Sequence, residues 1–102
     1  MSRNYKKYLV YGVTKERGFA FLENLIGEMK YKEIKQVKRN SHDFLVELAN
    51  GDIYQVVSAS QNSRGHKCDK AYVDRSVDLE ILNCVIKPAI LHSEADEQII
   101  YF

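Results

Sequence analysis

Hydrophobic positions change period several times along the chain. Tyr8-Leu9-Val10-Tyr11 is a short apolar run ending at Gly12, which predicts a buried strand over 8–13. Thr14 then stands where a helix N-cap belongs, with Glu16 in the first turn near the positive end of the helix dipole. Phe19, Leu22, Leu25, Ile26 and Met29 follow at helical spacing and predict a helix with one apolar, core-facing stripe. After it the period shortens. Ile34 and Val37 lie in a basic stretch, Lys32 to Arg39, that predicts an edge strand over 33–39, because lysines and arginines suit an exposed sheet edge. Phe44, Val46 and Leu48 alternate with Leu45, Glu47 and Ala49, Asn50-Gly51 follows, and Ile53 to Val57 returns. This predicts a hairpin of 44–49 with 52–58 around a turn whose two residues tolerate positive φ.

Ser58 to Gly65 is polar and reads as a loop. Lys70 to Val73 predicts a short strand, within 69–74, that ends at Asp74. Asp78 can cap a second helix carrying Leu79, Leu82, Val85, Ile86 and Ala89, which Pro88 is expected to end or kink. A polar turn, Ser93 to Glu97, precedes a last apolar strand over 98–102. Strand, helix, hairpin, strand, helix, strand is the order of an α/β domain spanning 1–102. Its small parallel-strand core would be 8–13, 69–74 and 98–102, with two crossover helices and the hairpin extending or flanking it. Ligands of such sheets bind beyond the carboxyl ends of the strands, where Thr14 and Asp74 both fall.

Composition narrows the class. A chain of 102 residues, 45% hydrophobic, suits one folded domain rather than a disordered segment. The formal charge of +1 implies neither a nucleic-acid coat nor an acidic tail. No run reaches the ~18 apolar residues of a membrane helix, and the start lacks the ~7–15 apolar residues of a secretory signal. The expectation is a cytoplasmic protein without membrane contact. Cys68 and Cys84, the two cysteines, fit buried thiols in a reducing compartment. His66, Cys68, Cys84 and His92 match no paired zinc-ligand spacing, and His42 reads as an exposed turn residue.

Charge is unevenly placed. Residues 1–51 carry ten Lys/Arg against six Asp/Glu, and residues 52–102 five against eight. Lys30, Lys32, Lys35, Lys38 and Arg39 surround Tyr31, a mixture that can meet phosphates and stack on bases, orient a protein partner, or simply solvate an edge. Candidate contacts to a nucleic acid or protein partner are Lys35, Lys38, Arg39, Arg64, Lys67 and Lys70. Asp74, at a strand end, is the candidate metal contact. Its alternatives are a turn-capping surface carboxylate or a pair with Arg75.

The stretch Arg64-Gly65-His66-Lys67-Cys68-Asp69-Lys70-Ala71-Tyr72-Val73-Asp74 resembles the lead-in to a Walker B strand in phage terminase large subunits, the ATPase motors of DNA packaging. Tyr11 to Arg17 with its helix, Leu48 to Asp52, Asp78 to Pro88 and Gln98 to Phe102 resemble neighbouring parts of the same module, in the same order. The resemblance implies a fragment like a P-loop NTPase core, of phage or prophage type. Two parts of the family pattern are absent: no G-x-x-x-x-G-K-[ST] occurs, and Arg75 stands where the family has its catalytic Glu. The implied chain has no cofactor of its own, with Mg²⁺ and ATP relevant only if a partner chain completes the site. It acts by binding a macromolecule: a packaging component or host protein first, a nucleic acid second, with homo-oligomers open. A hydrolase completed by a partner is the remaining reading.

Overall fold

The computed structural model describes residues 5–60, 66–90 and 98–102. In chain order the elements are β1 (Lys7–Gly12), α1 (Lys15–Gly27), β2 (Ile34–Arg39), β3 (Phe44–Leu48), β4 (Ile53–Ser58), β5 (Lys70–Val73), α2 (Leu79–Ile81), α3 (Lys87–Ala89) and β6 (Ile99–Tyr101). Each predicted strand is present, within a residue or two of its expected bounds. The six strands form one sheet in the order β2-β3-β4-β1-β5-β6. β4, β1, β5 and β6 run parallel, while β3 is antiparallel to both β2 and β4. Of the two expected arrangements the hairpin takes the first and extends the core: its returning strand, β4, pairs directly with β1.

Chain direction places the helices. From β1 the chain passes through α1 and the hairpin to reach β4 on one side; from β5 it passes through the second helical rod to β6 on the other. Right-handed crossovers heading opposite ways put their helices on opposite faces. Two cores result. Val10, Leu22, Phe44, Val46 and Val56 pack on the α1 side. Leu9, Tyr11, Val57, Ala71, Val73, Leu82, Ile86 and Ile99 pack on the other. Alternation along β1, β4 and β5 supplies both sides of the sheet.

Thr14 caps α1 as expected, its hydroxyl accepting from Arg17 N–H at 3.3 Å. The close seating of α1 depends on two glycines. A Cβ on Gly12 would lie 2.4 Å from Thr14 O and 2.6 Å from Gly18 N, and one on Gly18 would lie 2.7 Å from Val56 Cγ1. At the amino end, β1 is pinned by Lys6 N–H donating to Asp52 Oδ1 and Lys7 N–H to Asp69 Oδ2, both at 2.8 Å.

Several local expectations need correction. The β3–β4 turn is not a two-residue Asn-Gly turn. Gly51 alone has positive φ, at 99°, and Gly51 N–H donates to Leu48 O while Leu48 N–H donates to Asp52 O. That is the three-residue loop ending in a left-handed glycine. Pro88 neither ends the second rod ahead of itself nor simply kinks it. Residues 82–86 widen into a π turn, with Lys87 N–H bonding Leu82 O, and α3 continues through Pro88. Proline has no N–H to offer the carbonyl four residues back and its ring crowds that carbonyl, so the wider turn relieves both. Leu82, Val85, Ile86 and Ala89 are buried as anticipated, but Leu79 is 73% exposed. Asp78 makes no side-chain cap bond, and Cys84 is exposed while Cys68 is buried. Most of the polar loop ending at Gly65 and all of the Ser93–Glu97 turn lie outside the described residues. Among the described residues no helix is long and apolar enough to cross a membrane.

Gly12→Ala is expected to destabilise the fold by about 1–3 kcal/mol, because the added methyl meets backbone rather than a movable side chain. Gly27→Ala, with nothing within 4 Å of the new methyl, is expected to be neutral or stabilising by up to about 1 kcal/mol. Urea denaturation of the two variants checks the opposite signs.

Candidate functional site

The connections leaving β1 and β5 head to opposite sides of the sheet, so a topological switch point lies between their carboxyl ends, where ligands of open α/β sheets bind. In this chain Asp74 occupies it. The residue is 1% exposed, the one buried charged residue among those described. Its main chain is held on both sides, N–H donating to Tyr11 O at 2.9 Å and C=O accepting from Val77 N–H at 3.0 Å. Its carboxylate Oδ2 accepts from Arg17 Nε at 2.5 Å and from Val13 N–H at 3.2 Å. Oδ1 accepts from Ser76 N–H at 2.9 Å and from the Arg17 guanidinium at 3.3 Å. Asp74 is thus neither on the surface nor paired with Arg75, whose N–H instead bonds Phe102 O.

Burial raises the Asp74 pKa, but bonds from Arg17, Ser76 and Val13 and the Arg17 charge outweigh it, holding the carboxyl below its ordinary value. Each oxygen already accepts two bonds. A cation entering here has to displace Arg17, a group held from its own side by the first turn of α1. Among the described residues no cluster of three or more His, Cys, Asp or Glu is placed to hold a metal; His92 lies outside them. The phenol of Tyr11 is fully buried, its hydroxyl unpartnered among the described residues. Burial and the nearby Cys68 raise its pKa, so it stays protonated and offers no base.

Arg17 is absent from the sequence-derived candidates, although the sequence does carry a signal for it. A cation in the first turn of a helix opposes the macrodipole, and so calls for an acidic partner elsewhere in the fold. Only the topology reveals that Asp74 is that partner.

The basic candidates separate into two places. Lys35, Lys38 and Arg39 lie together on β2, the edge strand, of which all residues but Ile34 are exposed. Arg39 is committed inward: it pairs with Glu23 of α1, and its guanidinium lies 5.8 Å and 5.3 Å from the ring centroids of Phe19 and Phe44. Lys35 lies 3.6 Å from Glu47, while Lys38 has no ion pair among the described residues. Lys67 and Lys70 are four strand positions away, roughly 19 Å across the sheet. Lys67 bonds Pro88 O at 3.1 Å, and Lys70 lines a small cleft with Lys6, Tyr8, Asp69 and Gln98. Arg64 lies outside the described residues. The two basic segments therefore do not merge into one surface. A larger open cleft of about 550 Å³ adjoins the amino end of β2, lined by Lys32, Glu33, Leu48, Ala49 and Asn50.

The depressed Asp74 pKa fixes a sign. Stability from this site is fully present above the unfolded-state value of about 3.9 and is lost as pH falls below it through the folded-state value. Asp74→Asn is expected to cost about 1–3 kcal/mol near neutral pH. Its deficit relative to the parent should shrink below about pH 4, where the parent carboxylate is itself protonated. Urea midpoints for both proteins across that range check the prediction. Comparison with family models, with curated proteins and with solved structures found no match to this chain.

Proposed function

We propose that this chain is a non-enzymatic accessory protein of phage or prophage type, working in the cytoplasm on the scaffold of a terminase-like ATPase core. It acts by binding a macromolecular partner, a packaging component or a host protein, through the basic edge of its sheet. The observation that carries the reading is the state of Asp74. The carboxylate at the switch point is consumed by Arg17 and by the Val13 and Ser76 amides, so it is poorly suited to hold a cation or polarise a water.

Two further features support the reading. The phosphate-cradling sequence of P-loop enzymes is missing, and Arg75 stands at the position resembling the family's catalytic Glu. The exposed chemistry lies instead on β2, where Lys35 and Lys38 face solvent on a strand with one free edge. A nucleic acid is a weaker fit, because Lys67 and Lys70 are too far from β2 to extend the same basic track.

Affinity capture with the parent protein and with a Lys35→Glu, Lys38→Glu double variant tests this. A partner retained by the parent and lost by the variant is expected, together with no saturable binding of fluorescent ATP with or without Mg²⁺. Capture indifferent to the charge reversal, or Mg²⁺-dependent nucleotide binding weakened by Asp74→Asn, contradicts it.

A further inference from the structure

We infer that β2 is an addition site for an extended acidic segment of a protein partner, which pairs along its free edge as a further strand. The inference rests on the partner-binding reading above and specifies how the partner is held.

Backbone phase comes first. Asn40 N–H donates to Asp43 O at 2.9 Å across the β2–β3 turn, which makes that pair a hydrogen-bonded one. Antiparallel ladders alternate hydrogen-bonded with non-hydrogen-bonded pairs. In the observed register Lys38 opposes Leu45, Val37 opposes Val46 and Arg39 opposes Phe44. Lys38 therefore turns its N–H and C=O toward β3, whereas Val37 and Arg39 turn theirs outward. An incoming strand meets two adjacent sets of free donors and acceptors. Val37 is 45% exposed, so its side chain does not close the approach.

Charge then selects the occupant. Lysines on an edge strand normally deter pairing, but they deter neutral and basic strands, not acidic ones. Self-pairing of two copies antiparallel about Val37 brings two basic edges together, each carrying Lys38 and Arg39 and an irregularity at Lys35 that breaks the register. A strand bearing Asp or Glu meets Lys38, and shares Lys35 with Glu47. The residues 30–39 hold five Lys/Arg and one Glu, so the field along this edge favours an anionic segment.

The cleft at the amino end of β2 adds a second contact. It lies where Ala49 N–H bonds Glu33 O, at the end of the β2–β3 seam, and Leu48 and Ala49 contribute its apolar lining. Tyr31, which precedes Lys32 in the chain, is 94% exposed. One apolar side chain of the partner seated there would fix the register of the added strand, as pockets do in other strand-addition complexes. At the opposite edge, among the described residues, β6 is three residues long and carries no charge.

Amide hydrogen exchange by NMR, on the whole protein, tests the inference with a ten-residue peptide of alternating Glu and Val as probe. The expected result is exchange slowed about tenfold or more at Val37 and Arg39, with Lys38 unchanged because its amide already faces β3. A Lys-Val peptide should have no effect. Val37→Pro removes an outward N–H while leaving the β2–β3 ladder intact, and is expected to abolish peptide binding. Alternate N-methylation of the peptide should do the same without altering the protein. Absence of protection at Val37 and Arg39, or undiminished binding by the N-methylated peptide, overturns strand addition. A partner still captured by Val37→Pro but lost on charge reversal of Lys35 and Lys38 overturns it alone and leaves partner binding standing. A single-stranded oligonucleotide that binds this edge more tightly than the acidic peptide also overturns it.

Discussion

One buried carboxylate organises the carboxyl end of the sheet. Asp74 joins the turn after β5, the start of the loop after β1 and the first turn of α1 through bonds from Ser76, Val13 and Arg17. A charge removed from water is tolerated only when paired and fully hydrogen-bonded, so these three pieces must sit together or the carboxylate is left uncompensated. The glycine contact is the steric counterpart of this electrostatic tie. Gly12 and Gly18 let α1 approach closely enough for Arg17 to reach across. Neither feature works without the other: bulk at Gly12 would push the first turn of α1 off the strand end and take the guanidinium with it.

That arrangement redirects attention from the place where α/β sheets usually hold ligands to the sheet's periphery. The switch-point crevice is filled by the chain's own ion pair. Arg17 is partly exposed, with its side chain 55% accessible, so the pair is screened on one side and its worth lies more in positioning than in Coulomb energy. Among the described residues, β2 has a strand neighbour on one side alone, and it carries exposed lysines with a cleft at its amino end. In the proposed account, the chemistry of an ATPase core has been replaced by a recognition edge on the same scaffold.

Much of the fold is legible in the chain. The apolar runs at Tyr8 and Ala71 announce strands covered on both faces, the run at Ile99 announces an edge strand of which Ile99 alone is buried, and Thr14 followed by the Phe19–Ile26 stripe announces α1. What stays hidden depends on long-range placement. The alternation of β3 and β4 specifies a hairpin but not that β4 lies beside β1. Pro88 signals a disturbance, yet whether a helix stops or widens depends on what packs on Leu82, Val85 and Ile86. Cys84 falls off the stripe of Leu82, Val85, Ile86 and Ala89 and is exposed, and Leu79, at the start of the rod, stays outside the core as well. Asp74 can be singled out from its position at a strand end, whereas its partner, Arg17, is 57 residues away in sequence, and only topology joins them.

The most direct measurement of the central claim is a Mn²⁺ titration of ¹⁵N-labelled protein. It follows the Val13 and Ser76 amides and the Arg17 Nε–H, the groups that hold Asp74. If the carboxylate is a structural tie neutralised by Arg17, these signals keep their shifts and widths while exposed acidic positions broaden. Paramagnetic broadening that reaches those three signals first, with loss of the Arg17 Nε–H resonance, would show a cation displacing the guanidinium and would contradict the account.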